Sequence, residues 1–204
     1  MVGKLLAAAI LAALCVSCRS GREIVASLPP SPSEHGYQMV EGVALPHGDA
    51  AWYCGPEVLT AVLRFHGDQV TFEQAVLALY DPKRNGTLSL DMAKFARERG
   101  FDARLGKGTI AEVEEEIFHG RPAILMLDTG VLPATWQLPF NTTSMYHYFV
   151  VVGVNVAERR LVAEGYCGTK QLLAYDSLEA AWRPAGHYML TIHPKPAGGV
   201  TDQP

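Results

Sequence analysis

The sequence predicts an α+β fold, with N-terminal helices packed on a mainly antiparallel sheet. Two observations carry that reading. From Cys54 to Gly120 the apolar residues recur at helical spacing between capping residues and glycine stops. From Arg121 onward they come in short runs rich in β-branched and aromatic residues. Helices followed by a run of strands point to α+β rather than to alternating α/β units. At 204 residues the chain is long enough for one domain with a substantial core.

In chain order, residues 1–18 read as a targeting signal. Met1–Lys4 carries one positive charge, and Leu5–Ser17 is an alanine-rich apolar run too short to span a bilayer comfortably. It ends in "CVSCRS". The segment resembles a bacterial lipoprotein signal with Cys18 as the lipidated residue; Ser17 fits that pattern, and Cys15, in place of the usual leucine, departs from it. A plain secretory signal or a membrane anchor is the other reading. Either puts the domain outside the cytoplasm, and the lipoprotein reading puts it at a bacterial envelope, facing the periplasm and more readily on the outer membrane than the inner. Residues 19–37 contain "SLPPSPSEHG" and read as an extended, flexible tether. The domain is expected over residues 38–195, with 196–204 as a disordered tail.

Within the domain, "MVEGVALPHG" has room for a short strand. Pro56–His66 is a helix: Val58, Leu59, Val62, Leu63 and Phe65 form one apolar face, Pro56 suits the first turn, and Gly67 ends it. "TFEQAVLALY" opens with a Thr71/Gln74 capping box. A turn-rich "DPKRNGT" leads to a helix expected to be capped by Ser89 and stopped by Gly100. "TIAEVEEEIFHG" repeats that grammar with Thr109, Glu112 and Gly120, and its run Glu114–Glu116 reads as a solvated face. "RPAILMLD", "YHYFVVVGV", "RRLVAEGY", "KQLLAY" and "HYMLTIH" read as strands, and "DSLEAAW" as a short capped helix. The long segment Thr129–Tyr146 holds no obvious element, which marks it as a candidate functional loop.

Charge and composition exclude some classes. A net charge of −4 with a pI near 6.0 and no basic run gives no nucleic-acid surface. No Cys-x-x-Cys or similar spacing marks a metal site, and no cofactor is expected. With Cys15 and Cys18 in the signal, Cys54 and Cys167 remain. In an oxidising compartment they are candidates for a disulfide or a redox-sensitive contact.

Cys54 nonetheless stands where a helix begins, and unpaired N–H groups and the helix dipole there favour a thiolate. Such a nucleophile needs an imidazole. His66 and His119 sit at helix C-termini, and His193 ends the last strand, all structural positions. His147 opens the most hydrophobic strand directly after the long loop, so it is the candidate base.

"YCGPEVLTAVLRFHG", then helices, then "RPAILMLD", then "YHYFVVVGV" resembles the bacteriocin-processing, double-glycine peptidase family, in its free-standing extracytoplasmic members, over roughly Ala44–Pro194. The resemblance implies a papain-like cysteine peptidase fold with Cys54 as nucleophile and His147 as general base. It implies hydrolysis of a peptide or protein substrate at glycine-rich sites. The family's aspartate after the next strand is matched by Glu164, with Asn155 and Asp176 as weaker matches. The family's glutamine shortly before the cysteine has no counterpart in "LPHGDAAWY". That leaves the Cys54 N–H, with His47 as a substitute donor, for the oxyanion. The alternative to an enzyme is a catalytically weak or inactive peptide-binding module of the same fold.

Overall fold

The structure, a computed structural model, describes residues 28–46, 51–132, 145–165 and 169–195. Cys15, Cys18, His47, Trp136, Asn141, Cys167 and the tail lie outside the described residues.

The elements follow the predicted order with one addition. Strand β1 is only Gln38–Met39. Helices α1 (Cys54–Phe65), α2 (Phe72–Leu79) and α3 (Ser89–Glu98) come next. Strand β2 (Phe101–Lys107) then interrupts the helical half, which the sequence reading had not assigned. After α4 (Ile110–Phe118) come β3 (Ala123–Asp128), β4 (Tyr146–Asn155), β5 (Arg160–Glu164) and β6 (Lys170–Ala174). Helix α5 (Tyr175–Trp182) and β7 (Tyr188–Pro194) close the domain. The seven strands form one sheet in the order β2-β7-β3-β4-β5-β6, with β1 pairing the far end of β4, and every pair is antiparallel.

The reason β2 escaped notice is its composition. It alternates correctly, Phe101 and Ala103 inward, but Gly106 and three charged residues dilute the pattern. Pairing over its full length with β7 supplies the stability that its propensity does not.

Capping boxes form as expected at Thr71/Gln74 and Thr109/Glu112. Gly67, Gly100 and Gly120 follow the C-caps of α1, α3 and α4 with positive φ. Three local expectations need correction. Ser89 is the first residue of α3 rather than its cap, because its hydroxyl lies 2.7 Å from the Tyr148 hydroxyl. Helix α5 begins at Tyr175 with no side-chain cap. Glu116 is not on a solvated face: it is 9% exposed, because the Arg121 guanidinium, at 2.8 and 3.1 Å, and His193 Nε2, at 2.8 Å, draw it inward. The fold also begins before Gln38. Pro32–His35 is a 3-10 turn, Tyr37 is buried, and Asn155 Nδ2 donates to the His35 carbonyl at 2.8 Å.

Strand β4 is the spine of the core. Val150, Val151 and Val152 are fully enclosed, each worth up to about 1.5–3 kcal/mol of hydrophobic burial. Buried Val58, Leu59 and Val62 belong to α1, which packs against that strand. A helix and strand fixed this firmly to each other hold their ends in fixed register, and those ends carry Cys54 and His147.

Candidate active site

Cys54 is the first residue of α1. Tyr53 precedes it as N-cap and offers no capping side chain, so the N–H groups of the first turn keep their capacity for an anion. Tyr53 packs instead edge-on against Tyr80 and Phe72, which fixes the approach of the chain. Gly55 has a steric reason: a Cβ there would stand 2.8 Å from Thr87 Cβ. Pro56 occupies the third helical position, where no intrahelical N–H bond is lost.

His147 lies at the start of β4, 1% exposed, in register with Leu127 of β3. Its ring packs on Phe149 with centroids 5.0 Å apart. Thr129 closes the base of the intervening loop: its N–H and its hydroxyl both donate to the Met145 carbonyl, at 2.9 and 2.8 Å. That clamp sets where β4 starts.

The two side chains meet. The electrostatics of the Cys54 sulfur are set by the His147 imidazole, through its charge and side-chain hydrogen bonding, and by hydrogen bonding from the main chain of Tyr148. Burial pushes the thiol up, yet the imidazolium charge, that hydrogen bond and the Tyr148 N–H outweigh it and hold Cys54 below the ordinary thiol range. Burial pushes His147 down, and the thiolate and its hydrogen bond raise it above the ordinary imidazole value. Glu57, one turn along α1, opposes the thiolate and favours the imidazolium. The pair therefore leans toward thiolate and imidazolium. Among the described residues Cys54 is a free thiol.

The other ring nitrogen, His147 Nε2, lies 2.5 Å from the Gly165 carbonyl oxygen. A carbonyl only accepts, so Nε2 carries a proton there, which leaves Nδ1 as the ring nitrogen able to take up or give one. Glu164 is buried and in register with Val150. Side-chain alternation sets it on the Val150 face of the paired strands, while His147 and Phe149 share the opposite face. The site therefore brings together Cys54, His147 and the Gly165 carbonyl, with Glu164 adjacent in the chain but directed to the other face. Asn155 and Asp176 are engaged elsewhere, with His35 and Arg159. The Tyr148 N–H and the Gly165 carbonyl were missed by sequence reasoning, since main-chain groups carry no residue signature. Among the described residues no group of three or more His, Cys, Asp or Glu is arranged to hold a metal ion.

Residues 36–189 match the model of the Peptidase_C39-like family. The chain belongs to that family. No curated protein sequence matches it. Among solved structures, the chain is similar to the peptidase domain of Streptococcus ComA, a bifunctional ABC transporter of a quorum-sensing pathway: 18% identity, TM-score 0.56, over 75% of this chain and 99% of that one. It is equally similar to a double-glycine-motif protease from an AMS/PCAT transporter, solved with its leader peptide: 18% identity, TM-score 0.55, over 78% and 99%. A C39-like protein from Bacillus anthracis matches at 13% identity and TM-score 0.56, over 78% and 98%. These likenesses establish the shared α+β peptidase fold of this C39-like chain.

Proposed function

We propose that this C39-like chain is a thiol peptidase in which Cys54 is the nucleophile and His147 the general acid–base. The observation that carries the reading is the Cys54–His147 contact at a helix N-terminus, with the thiol lowered and the imidazole raised. Sulfur attacks the substrate carbonyl carbon, and the carbonyl electron pair moves to oxygen. The Cys54 N–H at the helix start faces that oxyanion. The imidazolium then protonates the departing amine, leaving a thioester. Water adds with its proton passing to His147, and collapse expels the sulfur as thiolate and frees the carboxylic acid, restoring the thiolate–imidazolium pair.

The substrate class is a peptide or protein, and the leader-peptide complex of the AMS/PCAT relative supports a glycine-rich cleavage site. The signal-like residues 1–18 support an extracytoplasmic chain held at the envelope through a lipid on Cys18. The missing upstream glutamine favours a second reading, a peptide-binding module of the same fold, since loss of one oxyanion donor costs about 10²–10³ in rate.

The deciding experiment is alkylation of Cys54 by iodoacetamide across pH, run beside cleavage of double-glycine peptides. The expected result is rapid labelling below the ordinary thiol range, lost in His147→Ala, and cleavage lost in Cys54→Ala. The linked signs give a bell: activity falls as pH drops through the lowered thiol pKa and as it rises through the raised imidazole pKa. Labelling without cleavage selects the binding module; ordinary-thiol labelling unaffected by His147→Ala rejects the pairing.

A further inference from the structure

We propose that the main-chain carbonyl of Gly165 is the group that positions His147, a role that the resemblance assigned to a carboxylate side chain. The inference rests on the thiol-peptidase reading. Three observations support it. His147 Nε2 and the Gly165 oxygen are in hydrogen-bonding contact, and this contact favours the protonated ring. The carbonyl is held in place from the other side, because Gly165 lies tight against the Phe149 ring: a Cβ at this position would come within 2.3 Å of Phe149 Cδ1. Phe149 in turn stacks at a tilt on His147, so glycine, phenylalanine and histidine form one packed unit on one face of β4 and β5. Glu164, by its register with Val150, leaves the strand on the opposite face.

The chemistry differs from that of a carboxylate. A carbonyl fixes the tautomer and the ring plane as well as an aspartate does, since it accepts from Nε2–H and can do nothing else. It carries no full negative charge, so it stabilises the imidazolium through a dipole. The thiolate and Glu57 then supply the anionic charge around the ring. In such a site the raising of the imidazole depends on Cys54. Alkylating the sulfur removes that charge and lowers the His147 pKa. A glycine at position 165 is also the residue type that lets the strand end close on Phe149 without displacing it.

The test uses full-length protein in which Tyr166 is replaced by its α-hydroxy-acid analogue, turning the Gly165–Tyr166 link into an ester whose carbonyl is a weaker acceptor. Glu164→Gln is made in parallel. The readouts are the ¹⁵N and ¹H resonances of His147 Nε2–H and the pH profile of Cys54 alkylation. The expected result is that the ester loses the hydrogen-bonded Nε2–H signature. It also slows alkylation at neutral pH by about tenfold, the size of one charge-assisted hydrogen bond. In Glu164→Gln the signature persists. A signature that survives the ester, or that disappears in a folded Glu164→Gln protein, overturns the inference. If Glu164→Gln fails to fold, the ester arm decides alone. A protein that cleaves no peptide yet keeps the Nε2–H signature in the wild type and loses it in the ester rejects the peptidase reading and upholds the positioning role.

Discussion

Two strand-end histidines in this chain each meet an acid, and the meetings differ in kind. His147 opens β4 and meets the Cys54 thiol at the first residue of a helix. His193, near the end of β7, meets Glu116 at 2.8 Å, in the second half of α4. At a helix N-terminus the dipole favours negative charge; toward a C-terminus it opposes it. The first location therefore favours the thiolate form of Cys54. The second needs Arg121 to hold a carboxylate that is already ionised. Both Glu116 oxygens accept hydrogen bonds from Arg121 or His193, so the cluster ties α4 to β7. A lowered acid beside a histidine is common to both, and the identity of the acid and its place on the helix distinguish a site from a strut.

The largest expected effect separates the two histidines directly. His147→Ala should lower kcat/KM by on the order of 10²–10⁴-fold, the range for losing a general acid–base. His193→Ala should lower Tm and leave kcat/KM where it was. Steady-state kinetics and thermal melts on the two variants check this. Equal losses of activity from both would break the distinction.

The parts of this arrangement that were legible in the sequence are those carried by side chains. The Cys54-Gly55-Pro56 helix start and the histidine leading the apolar strand are patterns of residue type, and the structure brings those two residues into contact. The capping boxes at Thr71 and Thr109 were legible because both partners lie three residues apart. Glu116 was misread because its partner His193 lies 77 residues away, and a local run of glutamates looks the same whether or not tertiary partners draw one inward. Strand β2 was missed because Gly106 and three charged residues dilute its alternation, and the partner that stabilises it, β7, is the last strand of the chain. The Gly165 carbonyl was invisible because a main-chain group has no letter of its own.

The next effect tests the strut. Glu116→Gln should cost about 1.5–3 kcal/mol, the range for hydrogen bonds to charged groups, read as a lower denaturant midpoint. The Cys54 alkylation rate should not move. The acid response follows from two shifts. Burial raises Glu116, but its bonds to Arg121 and His193 bring it below the ordinary carboxylate value. Its stabilisation is therefore present above the unfolded pKa and lost as pH falls through the lowered folded one. His66 is lowered mainly by burial, with the His193 and Arg121 charges adding to it. The unfolded chain thus takes up that proton first, from about pH 6.5 downward. Stability should decline in two stages on acidification, and Glu116→Gln should shrink the second, which the also-lowered Asp68 shares. A second stage left unchanged by Glu116→Gln would show that the cluster does not act as described.

The smallest expected effect concerns how the two helix starts are finished. Helix α4 is closed by Thr109, whose hydroxyl accepts from the Glu112 N–H at 3.2 Å while the Glu112 carboxylate accepts from the Thr109 N–H at 2.7 Å. Helix α1 has no such side chain at its N-cap, Tyr53. A capped terminus has committed its donors to stability, whereas an uncapped one keeps them for an anion. Thr109→Ala should therefore cost about 1 kcal/mol of unfolding free energy and change neither the rate nor the pH profile of Cys54 alkylation. Urea denaturation and alkylation kinetics on one preparation measure both. A shift in thiol reactivity would mean that α4 is coupled to the α1 terminus through the shared strand β4, and the separation between strut and site would have to be redrawn along that strand.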